Sequence, residues 1–161
     1  MRSLAERCLA CLGALALAAA AGCDKPSPPP ASVTIGGRTW QVELATTVEQ
    51  RYRGLSDRPK LAADAGMLFI YPRPQVLDFC MRQCLIPLDI AFIDADLRVV
   101  KTCTMPVEPY GLERATYSSA VPAQYALEVS AGALSAAGVK AGDTVKFSGN
   151  VPPAAKAQPG P

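Results

Sequence analysis

The sequence predicts a small, β-rich α+β domain. Three observations point there. Apolar stretches are short and bounded by Gly, Pro and Asp turns; only two short stretches carry helix signals; and strands do not alternate with helices in the rhythm of a parallel sheet.

The first 22 residues lie apart from that domain. Arg2 and Arg7 give a short positive region, and Cys8 to Ala21 is almost wholly Leu, Ala, Cys and Gly. A bilayer span needs about 20 apolar residues, so this segment fits a signal peptide rather than a transmembrane helix. It ends Ala21-Gly22-Cys23, small residues before a cysteine, as in a lipobox, where the thiol is acylated and the chain is cut before it. The alternative is an ordinary signal peptide cut at a nearby Ala-x-Ala site. Residues 23–32, with Pro26, Pro28, Pro29 and Pro30, read as an extended tether, and residues 150–161 as a disordered Pro/Ala tail. The folded part is expected over residues 33–149, enough for one core.

Within it, Val33-Thr34-Ile35 and Thr39 to Leu44 flank Gly36-Gly37, a two-residue hairpin turn. Thr46 or Thr47 can cap a short helix from Val48 to Arg53, which Gly54 ends. Met67 to Tyr71 is a buried run that Pro72 and Pro74 should stop. Val76 to Met81 alternates, with Leu77, Phe79 and Met81 on one face and Asp78, Cys80 and Arg82 on the other. Leu88 to Ile93 and Val99 to Met105 form two strands joined by the turn residues Asp94 to Leu97. Gln124 to Val129 is a further strand, and Tyr117-Ser118-Ser119 ends another. Ala131 to Ala137 is a short helix ended by Gly138, after which Gly142-Asp143 turns the chain into Thr144 to Phe147. No internal repeat appears.

Composition removes several chemistries. The chain has no histidine, which excludes Ser-His-Asp and Cys-His catalysis and His-ligated metals. No Gly-rich phosphate loop is present. Losing Arg2, Arg7 and Glu6 with the signal takes two from 16 basic residues and one from 14 acidic ones, a near balance with no basic patch for nucleic acid.

The order of motifs resembles a widespread prokaryotic family known as domain of unknown function 192. The likeness runs through Glu43-Leu44-Ala45, Arg51 with Arg53-Gly54-Leu55 and Arg58, Gly66-Met67-Leu68-Phe69, and Phe79 with Met81. It continues through Ile86-Pro87-Leu88-Asp89-Ile90, Phe92-Ile93-Asp94, Arg98-Val99-Val100, Tyr117-Ser118, Leu127-Glu128 and Gly142-Asp143. The resemblance implies a compact barrel-like sheet of short strands with one or two small peripheral helices, often behind a signal peptide; it implies no activity, substrate or cofactor. The chain departs from the family's pattern in one stretch. Where the family places Trp between Phe79 and Met81 and then Lys-Asn-Thr, this chain reads Cys80, Met81, Arg82, Gln83, Cys84; Ser56 stands where a Met is common.

Once Cys8 and Cys11 leave and Cys23 is acylated, Cys80, Cys84 and Cys103 remain. Three thiols in an oxidising compartment cannot all pair internally. If Asp94 opposes Arg98, paired positions sum to 192 and Cys103 faces Asp89, near the end where the chain emerges from Cys84. Cys84–Cys103 is therefore the first choice for a disulfide. Cys80 and Cys84 are too far apart if both lie on one extended strand. The alternatives are three core cysteines, a soft-metal site for Cu(I) built on Cys80, Cys84 and Cys103 with Met81 or Met105, and a redox-active pair, for which no Cys-x-x-Cys exists. Met67 and Met81 read as core fillers.

Asp89 sits inside an apolar strand, where a carboxylate needs a partner. Arg51, Arg53 and Arg58 are available, and Arg51, Arg58 and Asp89 form the candidate polar site, structural or ligand-binding. Asp94 and Asp96 read as turn formers. The resulting expectation is an exported lipoprotein in the cell envelope, anchored to a membrane through Cys23, acting as a non-catalytic module for a small ligand or envelope component, without a cofactor and without nucleic acid. No complete catalytic constellation can be assembled. Copper binding or redox chemistry at the three cysteines is the alternative.

Overall fold

The computed structural model describes residues 29–109, 111 and 115–154. The expected signal peptide, Cys23 and most of the tether and tail lie outside the described residues.

A seven-stranded sheet forms the body, in the spatial order Val99–Met105, Leu88–Ile93, Ala123–Ser130, Ala65–Gln75, Arg38–Ala45, Ser32–Ile35 and Val145–Ser148, with a two-stranded ribbon of Asp78–Phe79 and Tyr117–Ser118 beside it. β1 (Ser32–Ile35) and β2 (Arg38–Ala45) form the expected hairpin. Its turn residues Gly36 and Gly37 both have positive φ, 59° and 80°, the conformation a two-residue primed turn demands. The helix α1 (Val48–Arg53) follows. Thr47 caps it, its side chain accepting from the Gln50 N–H while Gln50 answers the Thr47 backbone, a complete capping box. Gly54 ends it at φ 50°.

β3 (Ala65–Gln75) then lies parallel to β2, Val42 opposite Gly66 and Leu44 opposite Leu68. One strand–helix–strand unit is therefore present, which the expectation of no such rhythm did not include. Pro72 and Pro74 do not stop β3; they interrupt its ladder to the strand Ala123–Ser130, and pairing resumes only at Gln75 opposite Ala123. The alternating run at Val76 to Met81 keeps its predicted faces, with Leu77 and Met81 buried and Asp78 and Cys80 exposed, but only β4 (Asp78–Phe79) is strand. It pairs with β7 (Tyr117–Ser118). Ser119 fixes this ribbon: its hydroxyl accepts from Leu77 N at 2.9 Å and donates to Val121 O at 2.7 Å.

β5 (Leu88–Ile93) and β6 (Val99–Met105) form a hairpin whose register changes along its length. Asp94 Oδ1 makes the turn, accepting from the backbone of Asp96 and Arg98 at 3.0 and 2.8 Å. Ile93 pairs with Val99, as the sum of 192 requires. A bulge then inserts one residue, so Phe92 faces Lys101 and Cys103 faces Ile90 rather than Asp89. β8 (Ala123–Ser130) fills the centre between β3 and β5. α2 (Ala133–Ala136) and β9 (Val145–Ser148) complete the chain.

The sheet curls into a half-barrel whose edges touch at one corner. Arg98 bridges Thr144, and Val99 exchanges bonds with Gly142 and Asp143. Both sheet faces are covered, which is why β3, β5 and β8 read as continuous apolar runs. Trp40, Leu68, Ile70, Ala91, Ile93, Leu127 and Val129 fill the inner side with residues from β1, β9 and α2. Met67, Phe69, Ile90, Phe92 and Ala126 face the other way and pack beneath Leu55, Leu77, Met81 and Cys84. That second face carries the site.

Candidate functional site

A cavity of about 410 Å³ opens on the second face, between α1 and the segment from Gln75 to Cys84. Phe69 of β3 and Glu128 of β8 line it from the sheet. Strand alternation places Glu128 there: Leu127 and Val129 point into the barrel, so the residue between them must point outward. Glu128 stands opposite Met67 and Ile90 in the middle of the sheet and is 4% exposed. Its carboxyl has no hydrogen-bond or salt-bridge partner among the described residues. Burial alone pushes its pKa up to about 8, so at neutral pH the group holds its proton.

Positive charge and aromatic surface surround it. Arg51 donates to Thr46 O at 2.8 Å and Ile70 O at 3.0 Å, and its guanidinium lies 4.7 Å from the Tyr71 ring centre. Burial raises the Tyr71 pKa although Arg51 pulls it down. Arg82 stacks 3.6 Å over the exposed Tyr52 ring and donates to the Tyr52 carbonyl, joining the rim across the cavity. Phe69 and Phe79 meet edge to face at 4.9 Å, and Phe79 meets Phe92 at 5.7 Å.

The other candidate residues fall in different places. Arg51 lines this cavity, but Arg58 does not; it forms a two-point ion pair with Glu43 on the surface. Asp89 finds no arginine. It is buried, and accepts instead from the Thr104 hydroxyl at 2.8 Å and the Leu134 backbone N–H at 3.0 Å. Neutral donors suffice because Asp89 sits on the inner side of β5, beside the start of α2, where orphan N–H groups need an acceptor. The three-residue polar site is thus dispersed.

Cys80, Cys84 and Cys103 are all free thiols, so the expected Cys84–Cys103 bond is absent. The bulge places Cys103 opposite Ile90 on the edge strand, where it packs against the same apolar cluster as Cys84 without a bond between them. Cys80 and Cys84 do not lie on one extended strand. Met81 to Cys84 is a turn, with Cys84 N bonded to Met81 O at 3.1 Å, Gln83 at φ 54°, and Asp57 N and Ser56 Oγ gripping the Gln83 and Arg82 carbonyls. Both sulfur residues therefore line the same cavity. Burial, first, and the nearby Glu128 and Cys80 push the Cys84 thiol up to about 11. Among the described residues no three His, Cys, Asp or Glu side chains group as a metal site. A second depression, about 560 Å³, is lined mainly by Gly and Ala and has Arg38 as its one charged residue.

A profile of the family domain of unknown function 192 (DUF192), described as uncharacterised ACR, matches residues 31–147. The chain belongs to the DUF192 family. It is similar to a protein of unknown function from Novosphingobium aromaticivorans DSM 12444, at 33% identity over 74% of this chain and 84% of that one, with a TM-score of 0.65. It is also similar to a protein from Sinorhizobium meliloti 1021 described as a candidate transcription regulator, at 31% identity over 76% and 97%, with a TM-score of 0.66. No curated protein matches the chain significantly. Of the positions where this DUF192 chain departs from the family pattern, Ser56, Cys80, Arg82 and Cys84 line the cavity and Gln83 does not.

Glu128 is the cavity-lining residue to which the sequence reading assigns no role. The sequence places it in a strand and in the motif Leu127-Glu128. The available signal was a lone acid inside Ala126-Leu127-Glu128-Val129, the same signal that drew attention to Asp89.

Proposed function

We propose that this protein is an exported, lipid-anchored binding module that takes a small organic ligand in the Glu128 cavity. The observation that carries the reading is Glu128 itself: a carboxyl buried in the sheet centre, unpartnered, and facing a cavity. An unpaired buried polar group costs roughly 1–3 kcal/mol, a cost a bound ligand or water can offset, and perturbed groups in clefts cluster at functional sites. The cavity volume of about 410 Å³ suits a small molecule. The anchor rests on Ala21-Gly22-Cys23 after the apolar segment. Ligand-observed NMR with a small-fragment mixture on the full chain in detergent tests the binding. Fragments should bind the native protein and lose contact in Cys80→Trp, which fills the mouth with an indole. Equal binding by both proteins would sink the reading.

A thiol role is the second reading, favoured by Cys80 and Cys84 sharing one cavity. Oxidised glutathione would convert the two thiols to one disulfide and leave as two reduced glutathione molecules. Peptide mapping after that treatment should show a Cys80–Cys84 link; persistent free thiols would remove this reading.

A further inference from the structure

The charges around the cavity narrow the ligand class, an inference that rests on the cavity being a binding site. Three guanidinium groups, Arg51, Arg53 and Arg82, line it against one exposed acid, Asp78. Glu128 adds no negative charge at neutral pH, because burial keeps it protonated. A protonated carboxyl is an O–H donor without an acceptor here. The nearly buried Phe69 of the sheet and the half-buried Phe79 of one wall supply aromatic lining.

We propose that the cavity takes small organic anions, with an apolar or aromatic body against Phe69 and Phe79 and an oxyanion that accepts a hydrogen bond from the Glu128 carboxyl under the attraction of the three arginines. A cationic ligand meets the opposite field. It would have to ionise Glu128 and sit among like charges, both unfavourable.

The charge state of Glu128 then gates the site. The titratable groups facing it are Tyr71 of β3 and Cys84 of the Met81–Cys84 turn, with Arg51 of α1 against Tyr71. Burial raises the pKa of both Tyr71 and Cys84, so neither becomes an anion before Glu128 does. Above about pH 8 Glu128 turns from a donor into a carboxylate that repels the ligand.

The test uses the full chain in detergent, with the rim thiol removed by Cys80→Ser. Benzoate, benzyl alcohol and benzyltrimethylammonium are titrated calorimetrically at pH 7 and pH 9.5, with and without Glu128→Gln. At pH 7 benzoate should bind roughly tenfold or more tightly than benzyl alcohol, the worth of a charge-assisted hydrogen bond, and the ammonium compound should bind least. Benzoate affinity should drop by a similar factor at pH 9.5 where Glu128 is kept. Glu128→Gln keeps a neutral N–H donor at both pH values, so it should retain binding and abolish the drop. Tighter binding of the ammonium compound, or an equal pH drop in Glu128→Gln, overturns the anion assignment. Equal binding of benzyl alcohol and benzoate, both blocked by Cys80→Trp, overturns the ligand class and leaves the binding reading standing. Binding of none of the three overturns both.

Discussion

At the scale of single residues, Glu128 sets a pH dependence whose sign follows from its burial. Its ordinary value is 4.5 and its folded value about 8. Between these the unfolded chain releases a proton that the folded chain keeps, so the native contribution is fully present below 4.5 and is lost as pH rises toward 8. Glu128→Gln removes the titration. The variant should match the native protein near pH 4 and exceed it in stability above pH 8, by an amount on the order of a few kcal/mol. Urea melts at pH 4, 6 and 9 would check this; a stability difference constant across the three would show that the carboxyl is not held protonated by the fold. Nothing in local sequence separates Glu128 from Asp89. Each is one acid in an apolar strand. Only the packing tells them apart: Asp89 meets Thr104 and Leu134, whereas Glu128 meets a cavity.

At the scale of elements, Asp89 ties β5 to α2. Truncating it would leave the Leu134 N–H and the Thr104 hydroxyl without their acceptor, in a helix of four residues that has no side-chain cap of its own. Asp89→Ala should lower stability by roughly 2–4 kcal/mol, and Asp89→Asn by less, since one oxygen remains. Thermal melts of the two variants decide it, and an Asp89→Ala melt equal to the native one would refute the role. Elements governed by local chemistry were legible in the sequence: the Gly36-Gly37 hairpin, the Thr47 capping box and the Asp94 turn each need only neighbouring residues. Elements governed by partners were not. The bulge that moves Cys103 opposite Ile90, the parallel pairing of β3 with β2, and the continuation of β3 past Pro72 depend on what lies across the sheet. The Met81–Cys84 turn was missed because the apolar alternation of Leu77, Phe79 and Met81 survives whether or not the backbone stays extended.

At the scale of the whole molecule, the barrel-like fold was legible through the family resemblance, whereas the cavity was not, because it forms where residues from α1, β3, β4 and β8 meet. The proposed anchor belongs to this scale too. Cys23→Ser should abolish incorporation of an acyl probe in growing cells and release or stall the precursor; labelling that persists would exclude lipid attachment at Cys23. One detail of the curled sheet bears on how a body tethered in the proposed way would answer a pull. The chain enters the sheet at Ser32 and leaves it at Ser148, and these two are opposite one another on antiparallel neighbours, with Asn150 N reaching Pro29 O just outside. Tension applied between the two ends would open the β1–β9 ladder like a zipper, one rung at a time, which is the weak direction of a sheet. Tension on the N-terminal end alone, with the far end unattached, loads no rung in that way. A protein moored only by its front end would therefore ride drag as a rigid float, while fusing a second mooring behind Ser148 would turn the same seam into its point of rupture.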